Sequence, residues 1–515
     1  MSYKNSPYFH IGRATELKGK DRIIYRLFEM VPGTLSWGTI FGTAVLSYFA
    51  PVAAAIFIIV FDLYWLLKTL YLSFFLRRNW KRMKHNLDLD WRSMLSNIKY
   101  EHIYHAVILP FYSEGVETIE KGILSLIESD IDLKKMIVIL AAEGKRGKEA
   151  LLIAKEIEGK YGQSFGHFIT TVHPDGVVGE MAGKGSNISY AIEEARKLVF
   201  DPNHIPYEDI LVSAFDIDTV VYPKYFLCVT WHFLTSENPY HASYQPVPLY
   251  NNNIWDAPAL SRVVAGSGTF WQMIQQERPE KNVTFSSHTV PFKTLHEVGY
   301  WQRNMVSEDS RIFWNAFFAY KGDYRVVPIS YPVSMDANLA PSFFQTLKNI
   351  YKQQRRWSWG SENVPYILFG FLKNKEISLW KKIRVGFIQL EGYWSLATNP
   401  ILILLLGWLP LILGGKSFNS TVLSYNLPII TRDLMILAMS GLVLSAFVFL
   451  SFLPQITVRT RNRDKALMLL QWVLVPVTII IFGAIPGLDA QTRLFFGKYM
   501  GFWVTPKYQK NKNAK

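Results

Sequence analysis

The stretch Ile210-Leu-Val-Ser-Ala-Phe-Asp-Ile-Asp218 is the strongest indication of the fold in this sequence. Its apolar first part has the length of a buried strand, and two aspartates follow directly. In an extended chain, positions i and i+2 point to one side, so the carboxylates of Asp216 and Asp218 can converge on one cation. Because Asp-x-Asp is also common as a capped turn after a strand, that structural interpretation stays open for the motif alone.

Strands and helices alternate on the amino-terminal side of this stretch. The pattern predicts, in order, a strand at 105–110, a helix to Leu126, a strand at 134–140, a helix at 147–160, a strand at 166–172 and a helix from Lys184. Strands separated by helices of this length form a parallel sheet with crossover connections. Ligands of such sheets bind at the carboxyl ends of the strands, where Asp216 and Asp218 stand.

A second acidic motif, Ser307-Glu308-Asp309, precedes the helical pattern at 311–320. One interpretation is simple helix capping with negative charge in the first turn, which the helix dipole favours. The other is a general base that deprotonates an acceptor hydroxyl. The spacing alone does not separate the two.

The segment Gln353-Gln354-Arg355-Arg356-Trp357 lies in a basic amphipathic helix predicted at about 342–359. Such a helix can lie on an anionic membrane surface. Its Gln, Arg and Trp side chains can also hold a diphosphate and stack on a sugar, since arginine carries a planar, permanent charge. Both interpretations can hold together.

Composition places these motifs in a membrane protein, because 50% of the 515 residues are hydrophobic. The apolar sequence 32–76, broken near Pro51, fits two membrane-spanning helices, and 393–413, 433–453 and 467–487 are each long enough for one more. We therefore expect five candidate spans, with a soluble domain between the second and the third.

The net charge of +14 follows the pattern of orientation signals rather than that of a nucleic-acid-binding surface. Basic clusters follow the second and fourth predicted spans and predict cytoplasmic loops: Arg77, Arg78, Lys81, Arg82 and Lys84, then Arg459, Arg461, Arg463 and Lys465. No nucleic-acid partner is expected. Five spans would place the basic tail outside, unless Pro476 and Gly483 interrupt the last one.

The lone Cys228 leaves no partner for an intrachain disulfide or a cysteine metal cluster, which suits a reducing cytoplasmic compartment. No cleavable signal peptide is expected in residues 1–30, which are polar and basic.

Taken in order, these motifs resemble those of the membrane-integrated family 2 glycosyltransferases, and more closely the processive branch that includes cellulose, chitin and hyaluronan synthases. The resemblance is strongest over residues 100–365. It implies an α/β domain of the GT-A type, with a Rossmann-like mixed sheet, inserted between transmembrane helices and accompanied by amphipathic interface helices. The implied organisation is a cytoplasmic segment at 1–31, two transmembrane helices at 32–77, the catalytic domain at 100–340, interface helices at 341–392, further transmembrane helices at 393–487 and a basic cytoplasmic tail at 488–515.

The resemblance also assigns roles to individual residues. It implies that Asp309, with Glu308 beside it, supplies the catalytic base, and that Asp216 and Asp218 hold Mg²⁺ or Mn²⁺ with the donor diphosphate. Residues implied to bind the donor are Pro110, Tyr112, Glu114, Glu143, Lys184, Asp216, Asp218, Gln353, Arg356 and Trp357. Residues implied on the acceptor side are Ser287, His288 and Trp357. The tail Phe502-Trp-Val-Thr-Pro-Lys507 is similar to the gating loop of cellulose synthases, with Phe502, Val504, Thr505 and Lys507 at the motif positions, which favours a cytoplasmic tail.

One segment departs from the family pattern. The family usually has Asp-Asp-Gly after its second strand to hold the base and ribose of the nucleotide, whereas this chain has Ala141-Ala142-Glu143-Gly144. Glu143 replaces one carboxylate at a different reach, so the donor nucleotide stays open.

The function implied is inverting, metal-dependent transfer from a nucleotide-sugar donor to a growing polysaccharide, coupled to export. The alternative is transfer of one sugar to a lipid or polyprenyl-phosphate acceptor, and a remote alternative is a non-catalytic scaffold or transporter. We expect an integral protein of a bacterial inner membrane whose catalytic domain is cytoplasmic.

Overall fold

The sheet expected from the sequence is present in the computed structural model, which describes residues 3–453 and 462–508. Arg459 and Arg461, used above for orientation, and the last part of the basic tail, 509–515, lie outside the described residues. The strands are β1 Tyr104–Phe111, β2 Met136–Glu143, β3 His167–His173, β4 Ile210–Ala214, β5 Val220–Val221, β6 Ala242–Leu249, β7 His288–Pro291 and β8 Arg325–Ser334.

These strands form one mixed sheet in the order β3-β2-β1-β4-β7-β6-β8-β5. Strands β3, β2, β1 and β4 run parallel, as the alternation with helices predicts. The next strand, β7, pairs antiparallel with β4. The carboxyl ends of β1, β2 and β4 therefore meet at one edge, beside the amino end of β7.

The helices that surround the sheet and extend from it are α1 Gly19–Phe49, α2 Pro51–Asp88, α3 Trp91–Leu95, α4 Val116–Ile127, α5 Lys148–Tyr161, α6 Lys184–Ala195, α7 Tyr225–Thr235, α8 Ala259–Gln276, α9 Phe292–Val298, α10 Glu308–Ala319, α11 Phe343–Ser358, α12 Asn363–Lys373, α13 Leu379–Leu404, α14 Leu409–Leu413, α15 Gly415–Asn419, α16 Val422–Ser451, α17 Asn462–Leu470, α18 Val475–Ile479 and α19 Ile485–Phe495.

The hydrophobic core lies on both faces of the sheet, because side chains alternate along each strand. Ala106 and Ile108 of β1 belong to the cluster that α6, α9 and α10 cover. Val107 and Leu109 belong to the opposite cluster, which α4, α5 and α7 cover. Burial on both faces explains why β1 and β2 are continuous apolar runs.

Two helical segments of the described chain are long and apolar enough to cross a membrane, Pro51–Asp88 and Ala466–Phe495. A third span is counted if Leu379–Leu404 and Leu406–Leu413, which meet at a bend of 50°, are taken as one. The expected break near Pro51 is observed, since α1 ends at Phe49 and α2 begins at Pro51. The expected segment 433–453 lies largely within α16.

Helix α2 connects the apolar part of the chain to the domain. Its 38 residues correspond to about 57 Å, well beyond a hydrocarbon layer of about 30 Å. At its far end, Asn79 Nδ2 donates to Ser330 Oγ at 2.9 Å and Asn86 Nδ2 donates to the Ile329 carbonyl at 3.1 Å. These bonds fix the helix against β8.

Candidate active site

One cavity of about 1070 Å³ collects the side chains that end the parallel strands. Its wall combines the carboxyl ends of β1, β2 and β4 with the amino ends of α6 and α10, the helix α11 and the tail at 502–507. All the expected site residues except Ser287 and His288 line this cavity.

Lys184 lies at the centre of the charged part of the cavity. Its Nζ donates to Asp216 Oδ1 at 2.7 Å and contacts both carboxylate oxygens of Asp309 at 3.1 Å. Although burial favours the neutral amine, the charges of Asp216 and Asp309 raise the pKa of Lys184. The ammonium therefore joins the two acidic motifs, which lie 93 positions apart in the sequence.

Glycines on both sides of Lys184 allow this close packing. A Cβ at Gly183 would lie 2.7 Å from Cγ of Phe502, and a Cβ at Gly185 would lie 2.8 Å from the carbonyl oxygen of Gln302. Any side chain at either position would push the tail or the loop before α10 away from Lys184.

Asp216 and Asp218 are both paired with polar groups. Asp216 Oδ2 accepts from Ser286 Oγ at 2.6 Å, and Asp218 Oδ2 accepts from the Asp336 amide at 3.0 Å and contacts Lys507 Nζ. Burial opposes the charged form of Asp216, but the Lys184 ammonium lowers the pKa of that carboxyl. Both aspartates are thus held next to an ammonium group.

These two carboxylates fit a divalent cation that also binds phosphate. Asp218 is 3% exposed, and its Oδ1 is buried without a hydrogen-bond partner among the described residues. No group of three His, Cys, Asp or Glu side chains in the described part of the chain is placed to hold a metal ion. Mg²⁺ in such sites binds one or two carboxylates and takes further ligands from substrate phosphates, so the donor set suits a metal shared with a diphosphate.

The acidic pair that begins α10 divides into an accessible and a buried carboxyl. The Asp309 side chain is 22% exposed, whereas Glu308 is 1% exposed and packs against Gly185. Burial, followed by the charge of Asp309, raises the pKa of Glu308 to about 8. At neutral pH Glu308 is therefore mostly protonated, and Asp309 is the carboxylate placed to meet a substrate.

Helix α11 brings Gln353, Arg356 and Trp357 to the cavity wall. The Arg356 guanidinium lies 5.0 Å from the ring centroid of Phe502, and its Nε is buried without a hydrogen-bond partner among the described residues. The Trp357 ring lies 5.6 Å from the ring of Phe285. A planar cation and an indole thus face one space, as diphosphate and sugar binding would require.

The tail crosses the mouth of this site. Phe502 packs between Gly183 and Arg356. The Lys352 ammonium lies 5.2 Å from the ring centroid of Trp503. Lys507 contacts Asp218. Val504 and Thr505 also line the cavity. The tail is therefore part of the site, although it lies almost 300 residues after Asp218 in the chain.

The part of the cavity wall at the carboxyl ends of β1 and β2 is formed by Pro110, Tyr112, Glu114 and Glu143. Glu114 Oε2 accepts from the amides of Tyr112 and Ser113 at 2.7 and 3.0 Å, which fixes the turn after β1. Glu143 Oε2 lies 3.6 Å from His173 Nδ1, and that carboxylate is the largest cause raising the pKa of His173.

Ser287 and His288, expected on the acceptor side, do not line the cavity among the described residues. Both are fully buried, and Ser287 Oγ bonds Thr219 Oγ1 at 3.0 Å behind the wall. Ser286 lines the cavity instead, because the chain turns at these two residues and Ser287 has a φ of 65°. The structure therefore places neither Ser287 nor His288 on the described cavity wall, whereas Trp357 does line it.

Sequence reasoning also missed three side chains near the site. These are Ser286 on Asp216, His173 beside Glu143, and Asp336, whose amide donates to Asp218. Burial, then the charge of Asp218, raises the pKa of Asp336 to about 6. The parallel register places His173 directly opposite Glu143, so strand pairing was the available signal for that contact.

Comparison with known proteins gives one family match. The model of the family described as "Glycosyl transferase family group 2" matches residues 211–484. No curated protein sequence matches the chain.

Two solved structures are similar in part. The mannosyltransferase PcManGT from Pyrobaculum calidifontis, in complex with GDP-Man and Mn²⁺, is 13% identical with a TM-score of 0.43, over 86% of this chain and 99% of that one. S. aureus TarS 1–349 in complex with UDP-GlcNAc is 14% identical with a TM-score of 0.33, over 68% of this chain and 91% of that one.

Proposed function

The chain belongs to glycosyl transferase family group 2, and on that premise we propose which transfer it performs. The proposed reaction moves a sugar from a nucleotide-sugar donor to a growing polysaccharide at the membrane, with a divalent metal and with inversion at the anomeric carbon. One observation carries the proposal: Lys184, Asp216, Asp218, Asp309 and Arg356 line a single cavity.

In this reaction Asp309 accepts the proton of the acceptor hydroxyl. The acceptor oxygen bonds to the anomeric carbon while the bond from that carbon to the diphosphate oxygen breaks, and the nucleoside diphosphate leaves. Lys184, which contacts both oxygens of Asp309 at 3.1 Å, keeps this carboxylate oriented. The accessible position of Asp309 supports its role as the base, whereas the mostly protonated Glu308 is a positioning residue.

The leaving diphosphate carries the negative charge that the site must neutralise. Asp216 and Asp218 would hold a Mg²⁺ or Mn²⁺ ion, which when bound neutralises charge on that group. The guanidinium of Arg356, with its unpaired buried Nε, supplies a further permanent charge. Lys184 and Lys507 each form an ion pair with one of these two aspartates.

The acceptor that we propose first is a polysaccharide, because Gln353, Arg356 and Trp357 line the same cavity as the base. The second candidate is a lipid or polyprenyl-phosphate acceptor. It is favoured by the extension of the cavity between Trp65 of α2 and Phe482 of the segment Ala466–Phe495, both on candidate membrane spans. A non-catalytic scaffold is the remote alternative.

The proposed location is a bacterial inner membrane, with the catalytic domain and the tail in the cytoplasm. The basic residues 77–84 at the end of α2 support this orientation, because positive charge is retained on the cytoplasmic side. Partner subunits are not part of the proposal.

The test is a screen of nucleotide sugars against purified full-length protein, with release of nucleoside diphosphate as the readout. We expect one donor to be consumed in the presence of Mg²⁺ or Mn²⁺, and turnover to stop when EDTA is added. The variant Asp218→Asn should need more metal for half-maximal activity. Metal-independent turnover, or none with any donor, would contradict the proposal, and product length separates a polymer from a single added sugar.

A further inference from the structure

Basic side chains meet where residues of the candidate membrane spans line the cavity. Lys68 comes from α2, and Arg278 and Lys281 come from the segment that follows α8. The one carboxylate of the described wall at this end is Glu391 of α13, and Lys68 Nζ contacts it at 2.6 Å. The charge of Glu280, which precedes Lys281, also acts on that ammonium, so three basic groups are accompanied by two carboxylates and one positive charge remains in excess.

Contacts and electrostatics place these groups close together. The Arg278 guanidinium lies 5.6 Å from the ring centroid of Tyr71, which stands one turn after Lys68 on α2. Burial, then the positive charge of Arg278, lowers the pKa of Lys281, and the charges of Glu391 and Lys68 also act on it. The four charged groups of the wall thus belong to one cluster.

Several polar atoms of this cluster are buried without a partner. Arg278 is 6% exposed and Asn282 is 3% exposed. Within the described part of the chain, Arg278 Nε, both polar side-chain atoms of Asn282 and Oε1 of Gln275 have no hydrogen-bond partner. Two of these atoms, Arg278 Nε and Asn282 Nδ2, are donors, whereas the two amide oxygens are acceptors. Buried polar groups in folded proteins are almost always paired, so the two unpaired donors on a cavity wall indicate a ligand that supplies acceptors.

The surroundings of the cluster are apolar. Trp65, Leu72 and Trp271 line the cavity on one side, and Leu396, Pro400 and Phe482 line it on the other. Residues of all three candidate membrane spans contribute to this wall. A basic pocket between apolar helices at a membrane surface suits the phosphate of a lipid, whose chain can lie along the apolar wall.

The cluster is also within reach of the proposed base. Asn282 lies two residues before Thr284, whose Oγ1 donates to the Asp309 carbonyl at 2.6 Å. Two residues span at most about 7 Å, so the Asn282 backbone is close to α10. A phosphate held by Arg278 and Lys281 can therefore present an attached acceptor end to Asp309.

We propose that Lys68, Arg278, Lys281 and Asn282 bind the phosphate or diphosphate of a lipid-linked acceptor. The lipid chain lies along the apolar wall between the candidate spans, and the acceptor oxygen lies at Asp309. The assignment rests on the proposed transferase activity, and of the two acceptor candidates it selects the second, a lipid or polyprenyl phosphate.

The experiment uses purified full-length protein in detergent micelles and measures binding by calorimetry, with empty micelles as the blank. The probes are a C15 prenyl phosphate, the matching diphosphate, the uncharged prenol and inorganic phosphate. The variants are Arg278→Gln and Lys281→Gln, and the matched control is Lys155→Gln, which removes a charge from the exposed face of α5. Binding of nucleoside diphosphate with Mn²⁺ is measured in parallel as the readout of folding and of the donor site.

We expect the wild type to prefer the prenyl phosphate or diphosphate over the prenol, and each variant to weaken that binding by roughly 10-fold to 100-fold, as the loss of a charged hydrogen bond does. Nucleoside diphosphate binding should be unchanged in both variants, and Lys155→Gln should bind every probe as the wild type does. Because Lys281 is half-buried, Lys281→Gln should disturb folding less than Arg278→Gln does.

Wild-type affinity for the prenyl phosphate in both variants would overturn the assignment. Equal affinity for inorganic phosphate and prenyl phosphate would also overturn it, because the ligand would then be free phosphate. Failure of the proposed function has a different result: the wild type would not bind or consume any nucleotide sugar, whatever its affinity for prenyl phosphate.

Discussion

The most direct test of the proposed chemistry is the substitution Asp309→Asn, compared with Glu308→Gln at the neighbouring position. Both changes replace a carboxyl by its isosteric amide at the start of α10. The two side chains differ in environment, since Asp309 is 22% exposed to the cavity and Glu308 is 1% exposed. Of these two acidic side chains, Asp309 is the one that contacts Lys184.

The expected loss for Asp309→Asn is that of a general base, about 10²-fold to 10⁴-fold in kcat, or about 3–5 kcal/mol of transition-state stabilisation. Lys184 keeps its 2.7 Å contact with Asp216 in this variant, so its ammonium stays in the cavity. Donor KM should therefore change little. For Glu308→Gln the loss should stay below about 10-fold at pH 7, because a carboxyl with a pKa of about 8 is already protonated and is no base there.

The assay is steady-state release of nucleoside diphosphate at saturating donor and metal, with binding of nucleoside diphosphate as the control for folding. Asp309→Asn should bind nucleoside diphosphate like the wild type. If Asp309→Asn keeps more than a tenth of the wild-type kcat, Asp309 is not the base. If Glu308→Gln loses as much as Asp309→Asn while still binding nucleoside diphosphate, the roles of the two residues must be exchanged.

Three further predictions concern the tail and the buried acid. Lys507→Met removes the ammonium from buried Asp218, and loss of one partner of a buried ion pair typically costs about 3–5 kcal/mol; we expect faster chymotryptic cleavage of the tail, and an unchanged rate would contradict the docking. Gly183→Ala places a Cβ 2.7 Å from Cγ and 2.8 Å from Cβ of Phe502 and should lower kcat, whereas the double variant with Phe502→Gly, which removes both atoms, should recover part of it; no recovery would mean that the clash lies elsewhere. The pKa of Glu308 rises on folding from 4.5 to about 8, so the folded state binds the extra proton and the melting temperature should fall as pH rises through this window. Glu308→Gln should flatten that decline, and an identical profile for both proteins would show that this acid does not titrate as expected.

Much of the fold was predictable, because its signals are local. Apolar runs and the helices between them identified β1 to β4, and the parallel part of the sheet follows from the chain length between the strands. The prediction of a family 2 glycosyltransferase is confirmed by the family match over residues 211–484. The closer similarity to processive synthases stays a prediction.

The number of membrane spans stays a prediction. Hydropathy gave five spans, whereas the described residues contain two, or three if the pair bent by 50° is one. A window of apolar residues does not distinguish a helix that crosses lipid from one that packs against the protein, because both bury apolar side chains. Helix α2 is long and apolar enough to cross a membrane, and its end also bonds to β8.

Local patterns in the sequence predicted the chemical groups at the strand and helix ends. These groups are the aspartates after β4, the acidic pair that begins α10, and the Gln, Arg and Trp of α11. Periodicity and capping are properties of neighbouring residues, so they can be read without the fold.

The contacts between these groups became visible in the tertiary structure alone. It placed Lys184 between Asp216 and Asp309 and brought Lys507 to Asp218. It also turned Ser286 rather than Ser287 toward the cavity. Contacts between segments hundreds of residues apart depend on how the whole core packs, and no local pattern records that.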